Sequence, residues 1–167
     1  WCCLVGSEMC IRDSINNALI NYVGVKRRFS FIGKKNKSFV YDDYAHHPTE
    51  IAATLSAAKS LKNKVIVVFQ PHRYTRTKIL IREFIKVLSK VDYLFLLETY
   101  SAGEKIIKGA TSKDIYSKIL KKNKNTIYLK NIGDLNKLMK PYTLHQNTIV
   151  FMGAGSISSI AKKYLNN

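Results

Sequence analysis

Residues 42–50 read Asp-Asp-Tyr-Ala-His-His-Pro-Thr-Glu, and this stretch decides how the chain folds. It follows a short apolar run at 38–41 and precedes an amphipathic segment at 51–61. This order predicts a strand, a turn and a helix, with Pro48 at the first helical position, where its missing N–H costs nothing. Two carboxylates, a phenol and two imidazoles thus follow the carboxyl end of a strand. In open α/β sheets, ligands bind at that edge.

A second polar cluster, residues 70–76, reads Gln-Pro-His-Arg-Tyr-Thr-Arg and follows an apolar run at 65–69. Arg73 and Arg76 are three residues apart at the start of a predicted helix, so their side chains share a face. Arginine grips carboxylates and phosphates in a bidentate way. Two arginines in a first turn oppose the helix dipole unless an anion lies nearby. The cluster therefore predicts an anion site, with plain surface charge as the alternative.

Strands and helices alternate along the rest of the chain. Residues 25–32 and 38–42 are predicted to pair as a hairpin. Further strands are predicted at 65–69, 93–97, 126–129 and 148–152, and helices at 51–61, 77–90, 112–121, 132–139 and 157–165. Strands that alternate with helices at this spacing indicate a doubly wound, mostly parallel sheet with right-handed crossovers. At 167 residues the chain suits one α/β domain.

Composition limits the classes of function. The net charge is +17, but the lysines are scattered over most helices and loops, so we interpret the charge as a solvated basic surface. Nucleic-acid binding and anionic substrates are the alternatives. No apolar run reaches the roughly 18 residues that a membrane span needs. The three cysteines all lie within the first ten residues, which fits a reducing cytoplasm.

Residues 1–14 differ from the rest of the chain. They contain every cysteine and the single tryptophan, and they lack a sustained hydrophobic period. We interpret them as a non-native leader, with an ordinary N-terminal strand and turn as the alternative. Residues 16–25 are predicted to hold the end of a helix. Residues 15–167 then form the domain proper.

Each candidate side chain could bind a ligand or could have only a structural role. Asp43 suits a ribose hydroxyl or an amine, but a turn is the commonest use of aspartate after a strand. His46, His47 and His72 lack the spacing of a metal site, so no metal is predicted. The glycine turn at 153–155 resembles a phosphate cradle, or permits close packing of a strand on a helix. These residues predict a pocket for a zwitterion or a nucleotide.

Five segments together carry a resemblance to a known family. In chain order they read GVKRRF at 24–29, DDYAHHPTE at 42–50, FQPHRYTRT at 69–77, YSAGE at 100–104 and MGAG at 152–155. This series resembles the C-terminal domain of the Mur ligases, over residues 21–165. The His-His-Pro-Thr-Glu and Gln-Pro-His-Arg elements resemble the member that joins L-alanine to UDP-N-acetylmuramate. The resemblance implies a Rossmann-like fold and a cytoplasmic role in bacterial peptidoglycan synthesis.

The resemblance also implies a role for each site residue. L-alanine would be bound by five side chains of the two polar clusters: Tyr44, His46, His72, Arg73 and Arg76. ATP would be contacted by Arg28 and Asp43.

In the implied reaction, ATP phosphorylates the lactyl carboxylate of UDP-N-acetylmuramate, and the amine of L-alanine then attacks the resulting acyl phosphate. ATP and Mg²⁺ are the implied cofactors, with the Mg²⁺ ligands mainly in a central domain. That domain and an N-terminal UDP-sugar domain are absent from this sequence, as is any Gly-x-x-x-x-Gly-Lys-Ser/Thr loop. We therefore expect no catalytic residue in this fragment and no ligation by the chain alone. A stand-alone module that binds an amino acid or a nucleotide is the alternative.

Overall fold

A computed structural model describes residues 2–21 and 25–166, with side chains from Cys10 onward. The chain forms a six-stranded sheet with helices on both faces. The strands are β1 Ser30–Lys35, β2 Ser38–Asp43, β3 Lys64–Phe69, β4 Tyr93–Leu97, β5 Thr126–Leu129 and β6 Asn147–Met152. The helices are α1 Cys2–Ile20, α2 Pro48–Ser60, α3 Tyr74–Ile79, α4 Ile81–Leu88, α5 Ser112–Leu120, α6 Leu135–Thr143 and α7 Ile157–Asn166, with a 3₁₀ turn at Ile132–Asp134.

The strand order is β1-β2-β6-β3-β4-β5. β1 is antiparallel to β2, as the predicted hairpin requires, and every other neighbouring pair is parallel. Every residue of β6 is buried, as are the last five of β3, because helices cover both faces of the sheet. The prediction of a doubly wound, mostly parallel sheet is confirmed.

Two apolar layers flank the sheet. On one face, α2, α4 and α5 pack over side chains such as Val67, Leu96 and Val150. On the other face, α6 and α7 pack over the alternate side chains, such as Val68 and Phe151. The helices that follow the adjacent strands β3 and β6 thus lie on opposite faces. Such a switch point opens a crevice at the carboxyl ends of the strands, where open α/β sheets bind ligands.

The first strand of the hairpin begins at Ser30, five residues later than predicted. Arg27 and Phe29 have φ values of 61° and 44°, in the left-handed region that interrupts a strand. The backbone N–H of Phe29 donates instead to the carboxylate of Asp43. Tertiary contacts with the end of β2 therefore set the start of β1.

The helix predicted at 77–90 is two helices. α3 begins at Tyr74, and Leu80, with φ −105° and ψ 19°, separates it from α4. The helix predicted at 132–139 begins with a 3₁₀ turn and runs through Pro141 to Thr143. The remaining elements match the predicted positions to within a few residues.

The described N-terminal residues form a helix. The strand and turn given above as the alternative for residues 1–14 are therefore wrong. α1 spans Cys2–Ile20 and includes the helical part predicted beyond residue 16, while residues 22–24 lie outside the described chain. Its described side chains, from Cys10 onward, are exposed to solvent. Across the described ranges, no helix is both long and apolar enough to cross a membrane.

Candidate functional site

The loops after β2, β3 and β4 meet at the carboxyl edge of the sheet, beside the glycine turn that follows β6. Their backbones are joined: Gly153 N donates to Asp43 O (3.1 Å), and Gln70 N donates to Met152 O (3.0 Å). His72 and Tyr100 form an isolated parallel bridge between the loops after β3 and β4. The two polar clusters of the sequence therefore form one site.

Asp43 is the anchor of the first loop. It is only 3% exposed, and its two carboxylate oxygens accept hydrogen bonds from Phe29 N and Ala45 N, each at 2.6 Å. This is the turn role given above as the plain alternative. Each carboxylate oxygen has a second lone pair, so the ribose contact stays a prediction.

His47 and Glu50 form a capping box at the start of α2. The carboxylate of Glu50 accepts hydrogen bonds from the backbone N–H groups of His46 (3.0 Å) and His47 (3.2 Å), while His47 Nδ1 accepts from Thr49 N (3.3 Å). Partial burial raises the pKa of Glu50, but these backbone hydrogen bonds and the nearby His46 and Arg28 outweigh it, so the pKa is lowered. The cap fixes the backbone of His46.

Four aromatic rings follow one another across the site. Tyr44 meets His46 edge-on with ring centroids 5.1 Å apart, and His46 meets His72 at 6.1 Å. His72 then stacks on Tyr100 at 5.4 Å, with ring planes 10° apart. The structure therefore brings together Tyr44, His46 and His72, as the sequence predicted. Tyr100 was missed as a site residue, although it lies in the quoted YSAGE segment.

Arg73 and Arg76 supply the positive charge. In the described chain, neither guanidinium has a carboxylate within 4.0 Å. Arg76 Nη1 lies 3.4 Å from Nδ1 of His72. Because a guanidinium only donates, Nδ1 is the acceptor, and the ring proton of a neutral His72 is on Nε2. Two guanidinium groups and an imidazole N–H are thus available to an anion.

Burial and neighbouring charge both act on His72. Partial burial of the ring lowers the pKa of His72, and the charges of Arg76, His46 and Arg73 lower it further. The imidazole is therefore neutral at pH 7, consistent with its accepting the Arg76 hydrogen bond.

Glu104 anchors the first turn of α3 from the neighbouring loop. Its carboxylate accepts hydrogen bonds from Thr75 Oγ1 (2.7 Å) and Thr75 N (3.0 Å), and these bonds lower the pKa of Glu104. An anion in the first turn is favourable with the helix dipole. Sequence reasoning missed Glu104, because its contact with Thr75 spans 29 residues.

The glycine turn is tightly packed. A Cβ on Gly153 would lie 2.7 Å from Gln70 O, and one on Gly155 would lie 2.7 Å from Cγ of Tyr100. Gly153 also has φ +150°, a backbone conformation that favours glycine. Both glycines therefore permit close packing, the alternative to a phosphate cradle.

Arg28 lies on the exposed segment before β1, where its backbone N–H donates to Ser30 Oγ (3.3 Å). Its charge is close enough to lower the pKa of Glu50, so it lies on the same side of the molecule as the capped loop. Within residues 10–21 and 25–166, no group of three or more His, Cys, Asp or Glu side chains could hold a metal ion. The arrangement is suited to binding a small anion between arginines and aromatic rings.

Comparison with known proteins adds a family. Residues 27–155 match the family described as "Mur ligase, glutamate ligase domain". The UDP-N-acetylmuramate–L-alanine ligase of Carboxydothermus hydrogenoformans is 40% identical over 153 residues, which cover 91% of this chain and 33% of that protein. The ligase of the same name from Rickettsia typhi is 39% identical over 156 residues, covering 90% of this chain and 31% of that protein.

A solved structure agrees. The crystal structure of the UDP-N-acetylmuramate-alanine ligase MurC from Thermotoga maritima superposes with a TM-score of 0.70 at 28% identity. The match covers 95% of this chain and 35% of that one. The chain thus spans about a third of the length of the relatives it matches.

Proposed function

The chain belongs to the Mur ligase family through its glutamate ligase domain, and on that premise we propose that it is the C-terminal part of an ATP-dependent ligase that joins L-alanine to UDP-N-acetylmuramate. The names of the relatives at about 40% identity support this choice of substrates. One observation carries the proposal. Two arginines, Arg73 and Arg76, have no carboxylate partner in the described chain. They share the carboxyl edge of the sheet with three aromatic side chains from the loops after β2 and β3: Tyr44, His46 and His72.

In this proposal, Arg73 and Arg76 hold the carboxylate of L-alanine. Guanidinium groups bind carboxylates through paired N–H donors, and the Nε2–H of His72 adds a third donor beside them. Tyr44 and His46 form the wall that faces the small side chain of the amino acid. The carboxylate is thereby fixed, and the amine is directed outward toward an acyl phosphate.

Arg28 and Asp43 are proposed to contact ATP when this part of the protein closes over the nucleotide. Arg28 is exposed and free to meet a phosphate, whereas Asp43 would offer a remaining lone pair to the ribose. The described residues hold no group of three or more His, Cys, Asp or Glu side chains, and in this proposal the Mg²⁺ ligands lie mainly in the rest of the ligase. The metal ligands and the phosphorylation step would belong to the rest of the ligase, so we expect no catalysis by this chain alone.

A chimera tests the proposal. Residues 25–166 would replace the matching third of the Carboxydothermus hydrogenoformans ligase, and ATP-dependent formation of UDP-N-acetylmuramoyl-L-alanine would be measured by mass spectrometry. We expect activity in the chimera, loss of at least about tenfold in kcat/KM for L-alanine with Arg73→Lys or Arg76→Lys, and no product from the isolated chain. Arg82→Lys, on the exposed face of α4, is the matched control.

The outcomes separate the two hypotheses. A folded chimera that makes no product with L-alanine would contradict the proposed ligase function. If the isolated chain nevertheless bound L-alanine or ATP in calorimetry, the stand-alone binding module would be the better interpretation. Product formation by the isolated chain would overturn the expectation that it needs the other domains.

A further inference from the structure

Arg27 lies outside the set of residues assigned above, yet its side chain contacts three parts of the site. Its Nη2 donates to the carbonyl of Gly153 at 2.9 Å. Its Nε lies 3.6 Å from the carboxylate of Asp42. Its guanidinium carbon lies 4.7 Å from the ring centroid of Tyr44. One planar cation thus joins the glycine turn, the end of β2 and the aromatic wall.

The backbone reinforces this connection. Tyr44 N donates to the carbonyl of Arg27 at 2.8 Å, so the two residues are tied through both main chain and side chain. Arg27 itself has φ +61°, in the left-handed region that a non-glycine residue seldom adopts. Strained backbone of this kind persists where the surrounding contacts fix it.

The ion pair between Arg27 and Asp42 is only partly hydrogen-bonded. Nε of Arg27 and Oδ1 of Asp42 are buried and have no hydrogen-bond partner among the described atoms. Oδ2 of Asp42 accepts a hydrogen bond from Ser158 Oγ (2.6 Å), which anchors the carboxylate to α7. With Asp42 fixed, the guanidinium has little freedom to move away from the Tyr44 ring.

We infer that Arg27 is the positioning residue of Tyr44. Its guanidinium lies over the face of the phenol ring, and the same ring makes a T-shaped contact with His46. Lysine cannot replace it, because an ammonium is not planar and cannot stack while also donating toward Gly153 and facing Asp42. The inference rests on the proposed function, since Tyr44 forms the wall of the amino-acid pocket there.

The first test uses the 167-residue chain labelled with ¹³C in its tyrosine rings. Arg27→Lys keeps both the charge and the Cβ, so the backbone strain at this position is unchanged. We expect Arg27→Lys to shift and broaden the NMR ring signals of Tyr44 and to leave those of Tyr93, at the opposite end of the sheet, unchanged. Arg82→Lys should leave both sets unchanged. Unaltered Tyr44 signals in Arg27→Lys, or equal shifts of Tyr44 and Tyr93, would overturn the inference.

The second test uses the chimera described above. Arg27→Lys should raise the KM for L-alanine by about 10-fold to 100-fold, the cost of a displaced positioning group, with little change in kcat or in the KM for ATP. In a chimera that already carries Tyr44→Leu, Arg27→Lys should no longer change the KM for L-alanine. The two substitutions would then combine non-additively. Additive losses, or an unchanged KM for L-alanine, would overturn the role at the pocket. An inactive parent chimera would instead contradict the proposed function, and the NMR result would still decide the contact.

Discussion

The imidazole of His72 lies flat on the phenol ring of Tyr100, with centroids 5.4 Å apart and planes 10° apart. The backbone on either side is also joined, because Arg73 N donates to Tyr100 O (2.9 Å) and Tyr100 N donates to Pro71 O (2.8 Å). The loop after β4 therefore sets the position of the loop that carries His72 and Arg73 and leads into α3. This connection makes Tyr100 a residue of the site even though its role was not evident in the sequence.

Truncating Tyr100 should loosen that connection. We expect Tyr100→Ala to lower the free energy of unfolding by about 1–2 kcal/mol, the cost of an aromatic pair with some packing. The NMR signals of the His72 ring should move, because the ring that shields it is gone. Urea unfolding and histidine NMR measure the two effects. Tyr100→Phe keeps the stack, so an equal loss in this variant would show that the ring contact is not responsible.

Gly155 should not tolerate a side chain. A Cβ added to Gly155 would lie 2.7 Å from Cγ of Tyr100 and 2.9 Å from Oε1 of Gln70. Cβ atoms in proteins do not approach other atoms this closely. We expect Gly155→Ala to destabilise the fold by about 1–3 kcal/mol through overpacking, measured by urea unfolding.

Gly133 provides the matched control for this substitution. The nearest atom to its Cβ would lie 3.9 Å away, which is ordinary contact. Gly133→Ala should therefore change the free energy of unfolding by less than about 0.5 kcal/mol. Equal effects of the two substitutions would contradict steric crowding at the glycine turn.

The order of strands and helices could be predicted because it depends on local pattern. The continuous apolar run of β3 and the proline at the start of α2 identify their elements without tertiary information. The start of β1 could not be predicted, since it depends on the hydrogen bond of Phe29 to Asp43, which lies 14 residues along the chain. The break at Leu80 could not be predicted either, because no proline or glycine marks it in the sequence.

The residues of the site, like the order of the strands and helices, could be predicted where they depend on local pattern. Tyr44, His46, His72, Arg73 and Arg76 stand at the ends of predicted strands, and parallel strands bring their ends together. Arg27 stands above only within the GVKRRF segment, with no role given to it, because its hydrogen bond to Gly153 spans 126 residues. A polar residue next to a strand end is visible in a sequence, whereas a partner across the sheet is not.

His72 should make stability depend on pH. Burial and the charges of Arg76, His46 and Arg73 lower its pKa from the usual 6.5, with only Glu104 opposing. Between the lowered pKa and 6.5, the unfolded chain binds more protons than the folded chain, so the free energy of unfolding rises with pH up to about 6.5 and this contribution is then constant. Urea unfolding at a series of pH values measures it.

Two variants isolate this histidine. His72→Gln should reduce the loss of stability below pH 6.5, because the titrating group is gone. Arg76→Met should raise the pKa of His72, as read from its NMR titration, because a nearby positive charge is removed. A titration midpoint at or above 6.5 in the unmodified chain would contradict the assigned environment.

Arg73 holds backbone strain that a substitution can release. Its φ of 68° and ψ of 134° lie outside the regions that a side chain with a Cβ favours, and such residues cost about 1–3 kcal/mol each. Arg73→Ala removes the guanidinium but keeps the strain, whereas Arg73→Gly removes both. Glycine gives back about 0.5–1 kcal/mol in chain entropy, so we expect Arg73→Gly to be more stable than Arg73→Ala by about 1 kcal/mol in urea unfolding. Arg82, in the ordinary helix α4, should show the reverse order, with glycine less stable than alanine by about 1 kcal/mol. If glycine were the less stable variant at both positions, the fold would not be holding Arg73 under strain. If instead glycine is the more stable variant at position 73 alone, the protein gives up stability at Arg73 to direct its guanidinium into the site.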